Sequence, residues 1–489
     1  MKQQNFSSQG KLMYRIFLFT VFLSSFGNLC SQNLNNSPYA RYGLGDLSFS
    51  AFPHMNGLGM TAVAYADSHT VNPLNPASLL AQRFTVLEMG MFASRTNFTA
   101  NNLNTTANNA GFGYLTLAFG VIPKKWSTSL GIRPLTVAGY EVNARENAGP
   151  DIGNVNYLYT GSGGFNVLHF NNGFKLFKNF YVGLNANYNF GNVQMSRSVL
   201  FNDSLNALNS RITEDFSLND INFDLGLRYE LYFRPFKKIR KERVHLTKDD
   251  SAFSKKSIKT EIEKGEERFY YIQKTKVKRK DSLNISFGAT YTPSISANAR
   301  YSYLADRFLG APPIENVIDT ILFIDNESGR IVMPEQISAG IYIRSSNEKL
   351  AVSLNAQYLN WSRFSRFGAS DSIKNNLRLN IGLQFIPDLL STGKYAKRIR
   401  YRLGFTYSDG YLRVNNTDIP EYFISAGLGL PFRRQRNSTA TKVPISMLNI
   451  AVQAGARGTV NNNLIQENFI RLSFGLSMTD DWFNKRKYD

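Results

Sequence analysis

Four histidines, His54, His69, His169 and His245, are the side chains best suited to acid–base or metal chemistry, and their spacing serves neither. A metal site needs histidine or paired carboxylate neighbours at short fixed intervals, and none of the four has them. No Gly-x-Ser-x-Gly elbow and no phosphate-cradling glycine loop occurs. Only His169 is placed where a Ser-His couple could face lipid. The expectation is a protein that is not an enzyme and takes no metal or cofactor. A second set of residues carries charge. Arg398, Arg400 and Arg402 recur at every second position, and Arg378 stands at the same phase in the segment before. At that period the guanidinium groups share one strand face. They could steer a carboxylate ligand. They could equally pair with carboxylates, for which Asp46, Asp67, Asp220, Asp224 and Glu230 are candidates. Buried charges need partners, which favours pairing.

The elements that carry these residues alternate strictly for ten residues or more. In 179–190, Phe180, Val182, Leu184, Ala186, Tyr188 and Phe190 oppose Gly183, Asn185, Asn187 and Asn189. In 376–385, Leu377, Leu379, Ile381, Leu383 and Phe385 oppose Arg378, Asn380 and Gln384. Segments 220–231 and 398–407 repeat the pattern. Soluble sandwiches alternate too, but their strands average about five to six residues. A strand that spans a bilayer needs about 9–11. Charges fill the polar faces without breaking the apolar ones, as lipid outside and a wet lumen inside would require. Candidate strands number fourteen, give or take two, near 84–92, 112–121, 127–136, 163–174, 179–190, 219–232, 281–296, 336–345, 349–361, 375–387, 397–407, 420–431, 446–456 and 467–478, of which the first and fourth alternate poorly. The fold class is therefore all-β, a transmembrane antiparallel β-barrel of about fourteen strands.

The chain ends agree with export. Lys2, Lys11 and Arg15 precede the apolar run Ile16–Phe26, too short to span and suited to a signal peptide over 1–31. Cys30, the single cysteine, would be removed with it, so a mature chain from Gln32 has no disulfide or thiolate site. Localisation in the outer membrane of a Gram-negative bacterium follows.

Connections alternate in length. Residues 122–126, 175–178 and 346–348 read as tight periplasmic turns, and 93–111, 137–162, 191–218 and 297–335 as long outer loops. That parity puts both chain ends in the periplasm. One connection breaks the rule. Residues 233–280 hold 17 Lys/Arg and 7 Asp/Glu, net +10, half of the chain's +20. The segment reads as a periplasmic insertion, either a solvated helix hairpin or an arm for a periplasmic protein or anionic partner. It has no base-stacking aromatic array, so nucleic acid is not expected as a partner.

Three stretches give the chain a family likeness. Ser37–Asp46 (SPYARYGLGD), Gly57-Leu58-Gly59 and Asn75-Pro76-Ala77 resemble the N-terminal hatch of the FadL/TodX-like outer-membrane transporters of hydrophobic compounds, in their Bacteroidota branch. Met333-Pro334 through Tyr358–Phe364, and the last strand Glu467–Met478 followed by Trp482-Phe483, resemble the same family. The basic insertion and the tail beyond Phe483 depart from it. The resemblance implies a hatch over 32–83 inside a barrel over 84–489, and a monomer that takes hydrophobic ligands from outside and releases them sideways into outer-membrane lipid. Asn75, Pro76, Ala77, Gly57 and Gly59 would form the hatch gate. Gly131, Arg133 and Pro134, in the third segment, would mark the lateral opening, since proline gives no ladder hydrogen bond; a strand that simply ends there is the alternative. The implied function is passive transport of fatty-acid or hydrocarbon-like molecules. An outer-membrane scaffold accessory to protein secretion is the second expectation.

Overall fold

The computed structural model describes residues 37–480 except 48–51, 101–102, 150–152, 202–206, 234–237, 247–258, 264–265, 278–281, 312–313, 346, 371–372, 390, 392 and 435–444. The signal segment and the Trp482-Phe483 tail lie outside the described residues. Fourteen strands form one closed antiparallel ring. They are β1 Thr85–Ala100, β2 Leu103–Ile122, β3 in two pieces Trp126–Pro134 and Tyr140–Asn147, β4 Asn154–Phe177, β5 Phe180–Phe201, and β6 Asn209–Phe233. There follow β7 in two pieces Leu283–Thr292 and Ile295–Ala311, β8 in two pieces Ile314–Met333 and Glu335–Ser345, β9 Leu350–Asn360, β10 Asn376–Phe385, β11 Arg400–Ser408, β12 Glu421–Arg434, β13 Ile445–Arg457 and β14 Gln466–Asp480. β1 pairs with both β2 and β14, so the ring has no free edge at the seam. Each expected segment falls on one of these strands.

Burial is inverted relative to a soluble protein. On β10, Leu377, Leu379, Ile381, Leu383 and Phe385 are 40–46% exposed, whereas Asn376, Arg378, Asn380 and Gln384 are 2–5% exposed. β6 and β11 repeat this, with Ile221, Phe223 and Leu225 or Leu403, Phe405 and Tyr407 outward. An apolar outer band over a polar interior is stable only against lipid. No helix among the described residues is long and apolar enough to cross a membrane; the crossing is made by strands.

Two expectations change. The segments read as long outer loops are mostly strand: 93–111 lies in β1 and β2, 191–218 in β5 and β6, and 297–335 in β7 and β8. β4 has 24 residues and β6 has 25, far beyond what a bilayer requires. Beyond the membrane both faces of a strand are wet, so the alternation that marks a spanning strand fades. The insertion is also not a helix hairpin. Lys238–Leu246, Glu266–Val277 and Lys259–Glu263 form a three-stranded antiparallel sheet in that order. The runs Val244-His245-Leu246 and Phe269-Tyr270-Tyr271-Ile272 are rich in β-favouring types.

Candidate functional site

The segment before β1 runs through the lumen from end to end. At the outer end Ser37 Oγ donates to Glu467 Oε1 at 2.5 Å, and the Tyr39 hydroxyl donates to the Ile465 carbonyl at 2.6 Å. Asp46 pairs with Arg457 at 2.7 Å. At mid-depth Asn56 Nδ2 donates to Ser473 Oγ at 2.9 Å. The Gly59 N–H donates to Ser425 Oγ at 3.0 Å, and the Gly59 carbonyl accepts from Asn380 at 2.9 Å and Thr406 at 2.8 Å. Near the tight turns Asp67 pairs with Arg400, and the Val71 N–H donates to Glu88 Oε2 at 3.1 Å. Ser37 thus lies at the opposite end of the barrel from Thr85, and the expectation that both ends face the periplasm fails for the start of this segment. Its first residues bond at the outer ends of β13 and β14, the end of one and the start of the other, because Ser37, Tyr39 and Asp46 find polar partners there.

The Asn-Pro-Ala motif is a cap that also grips the wall. Asn75 precedes a 3₁₀ turn, Pro76–Ala81, and its Oδ1 accepts from the Ala77 N–H at 3.0 Å. Proline at the first turn position costs no hydrogen bond. Asn75 Nδ2 donates to the Val63 carbonyl at 2.6 Å and to the Leu227 carbonyl on β6 at 3.1 Å. Gly59 has a φ of +64°, which favours glycine. Gly57 meets Gly427 backbone to backbone, where a Cβ would stand 2.9 Å from the opposing Cα.

The wall supplies the matching half, which the sequence reading missed. A Cβ on Gly183 would stand 2.4 Å from Ala77 N, on Gly226 2.3 Å from Asn75 Oδ1, and on Gly288 2.2 Å from the Val63 oxygen. On Gly382 it would stand 2.5 Å from the Leu58 oxygen, and on Gly404 2.0 Å from Gly59 N. Strand after strand gives up its side chain so that plug backbone can touch wall. The available signal was a glycine on the polar face of strongly alternating strands, which marks close backbone approach.

The arginines divide. Arg378 donates to Glu421 at 3.1 Å, and Arg400 binds Asp67. Burial alone would raise the Asp67 carboxyl, but the Arg400 guanidinium and a hydrogen bond from His69 hold it well below the usual range. Arg402 meets no carboxylate directly among the described residues; it donates to Gln384 at 3.0 Å and Asn449 at 2.9 Å. Asn449 then donates to Ser477, itself bonded to Glu88. Arg398 does not join this ladder. It ends a 3₁₀ turn, Tyr395–Arg398, with its guanidinium 5.2 Å from the Tyr395 ring. The chain turns before β11 begins, so the period-2 phase does not extend back to it. Of the other carboxylates, Glu230 bonds Arg228 and Tyr232, and Asp224 accepts from Asn185, Asn187 and Thr292. Asp220 accepts from Asn298. His169 meets Thr116, 3.3 Å from Nε2, rather than a serine.

The wall is interrupted at β3. The β2–β3 ladder ends at Leu115–Ile132, while β3–β4 continues to Pro134–Asn166. Pro134 offers no N–H, and the chain then turns inward. Thr136 and Val137 pair with Leu47 and Asp46 of the plug. Among the described residues, the ladders join the outer piece of β3 to β4 alone, and residues 103–112 and Tyr114 of β2 to β1 alone. Gly131 remains inside the ladder, opposite Thr116, where its lack of a Cβ leaves room for Thr116 and His169. Arg133 lines a cavity of about 200 Å³ between Met60, Ala62 and Leu74 of the plug and Asn187, Asp224 and Thr292 of the wall. A second cavity, about 150 Å³, reaches the interruption at Gly113, Tyr114, Pro134 and Val137. Phe92 and Phe469 line it together with Arg378, Arg457, Glu421 and Glu467, so its lining is part apolar and part charged.

A family model described as BamG matches residues 13–251 and 235–489, nearly the whole chain. Comparison with the curated proteins finds no match. Among solved structures, a Pseudomonas aeruginosa FadL homologue is similar at 12% identity, covering 88% of this chain and 98% of its own, with a TM-score of 0.50. The Pseudomonas putida toluene transporter TodX is similar at 11% identity, with the same coverage and a TM-score of 0.50. At these identities the likeness is one of fold.

Proposed function

The chain belongs to the BamG family, and from that premise and the plugged barrel we propose that it moves hydrophobic small molecules, fatty-acid or hydrocarbon-like, across the outer membrane of a Gram-negative bacterium by passive diffusion. The observation that carries the reading is the interrupted β2–β3 ladder with a part-apolar cavity behind it. The plug fills the barrel axis, so a solute reaches lipid through the wall. Gly57, Gly59 and Asn75–Ala77 hold the plug in place, and Pro134 holds the wall apart. The fold shared with a protein named as a toluene transporter supports the reading. The test is uptake of radiolabelled oleate into proteoliposomes. Val137→Trp fills the cavity at the interruption and should lower uptake about tenfold, since a misplaced path wall acts on passage as a steric block. Unchanged uptake by a folded V137W barrel sinks the lateral path.

A second reading, a scaffold accessory to protein secretion, draws on the inserted sheet and on strands that run far past the membrane. A stable protein partner lost on deletion of 233–280, with no oleate uptake, would favour it.

A further inference from the structure

One patch of the lumen meets the plug without bonding to it. Elsewhere the plug answers the inward polar groups of the wall, as Gly59 does with Asn380, Thr406 and Ser425. At the cavity of about 200 Å³ the plug instead presents Met60, Ala62, Val63, Pro73 and Leu74, none with a polar side chain. Two of its carbonyls there are already engaged, Val63 by Asn75 and Ala62 by Asn72.

The wall across the cavity is the reverse. Thr292 and Gln336, Ser338 and Gln357, and Asn355 and Asn380 are register partners, and all six line the space. Asn187 and Asn222 extend the row onto β5 and β6, again as register partners. Its flanks are tied down: Asn380 bonds Gly59 and Thr406, and Thr292 and Asn187 bond Asp224. Its centre is not. Among the described residues the side-chain amides of Gln336, Asn355 and Gln357 make no hydrogen bond, and Asn355 Oδ1 is buried without a partner. Amides ranked against an apolar floor call for a partner that fills the space between them.

The lining also defines that partner. Charge is balanced, with Arg133 and Arg378 set against Asp224 and the Glu421 that Arg378 binds. A hydrocarbon would leave the amides unpaired, which is costly. Hydroxyl groups suit them, because a hydroxyl both donates and accepts, as a side-chain amide does. The apolar floor suits the C–H face of a ring. The space holds on the order of a dozen waters, about as many as a hexose has non-hydrogen atoms.

We propose that the cavity between the plug and strands β5 to β10 binds a neutral polyhydroxylated ring of the size of one hexose, at a site apart from the hydrophobic path beside β3. Gln336, Asn355 and Gln357 bond its hydroxyls, while Met60, Val63 and Leu74 meet its C–H face.

The experiment is saturation-transfer NMR on the full-length protein in phosphatidylcholine nanodiscs, which contribute no sugar. The probes are glucose, galactose, mannose and octyl glucoside. Ring protons should receive saturation, and added oleate should not displace it. Transfer to a free hexose identifies a soluble sugar as the ligand; transfer to the glucoside alone identifies a glycolipid headgroup. Asn355→Leu combined with Gln357→Leu should weaken binding about tenfold, since ligand hydroxyls are left unpaired. Should that variant fail to fold, crystals of the unaltered protein grown with glucose decide: a ring beside Gln336 and Gln357 supports the site, and ordered water alone overturns it. The proposal also falls if no probe receives saturation, if oleate displaces the sugar, or if the folded double variant binds as before.

Discussion

Gly404 offers the most direct test of how the plug is held. A Cβ added there would stand 2.0 Å from Gly59 N and 2.4 Å from the Leu58 carbonyl carbon. Neither is a flexible side-chain tip, so the plug backbone must retreat by more than an ångström. Three hydrogen bonds fix Gly59, from Asn380 and Thr406 and to Ser425. Each contributes about 1 kcal/mol, and overpacking adds about 1–3 kcal/mol. Gly404→Ala should therefore cost up to about 4–6 kcal/mol of plug docking, and Gly404→Val more. Two measurements report it. The heat-induced gel shift should occur at lower temperature, and the barrel should conduct ions in planar bilayers once the plug loosens. Gly393→Ala is the control, since nothing lies within 4 Å of its added Cβ. Wild-type melting and an insulating barrel in a folded G404V protein would refute the reasoning.

Other outcomes follow from the plug contacts. Asp67→Asn leaves the Arg400 guanidinium buried without its counter-charge and should cost about 3–5 kcal/mol in thermal unfolding. The same pair sets a pH response. Asp67 is held ionised below its unfolded range, so its contribution is complete above about pH 4 and is lost as pH falls through the folded value. Melting temperature should drop as pH falls beneath that range, and D67N should lack that part of the drop. Asn75→Ala removes the cap on Ala77 and the ties to Val63 and Leu227; protease resistance of the plug should fall by about 2 kcal/mol in apparent stability.

The sequence carried the wall well and the plug poorly, for physical reasons. Alternation is a local signal, so β5, β6, β10 and β11 could be read from their own residues. Arg400 needed a carboxylate, and Asp67 stood among the candidates because buried charge demands a partner. Arg398 shared the same period but fell in a turn, which a phase count cannot see. Pro134 announced a break in β3 but not that Thr136 and Val137 would pair with Leu47 and Asp46, because that pairing joins residues about ninety apart. The wall glycines were visible as letters; their meaning required knowing which backbone passes over Gly183, Gly288 and Gly404. The outer halves of β4 to β8 lost their signal where lipid ends.

The depth to which Gly404 and its counterparts receive the plug also dictates an order of assembly. The seam joins β1 to β14, the first and last strands of the ring, across nearly four hundred residues of chain. The plug hangs from β1, and the wall meets it at Gly183, Gly226, Gly288, Gly382 and Gly404, where a Cβ would stand 2.0–2.5 Å from plug atoms. So close a fit favours a sheet that curls around a plug already laid along it, with the seam zipped last, as staves are drawn around a form. Contacts so distant in sequence form late and slowly. A chain without residues 37–84 would reach the seam with nothing to curl around.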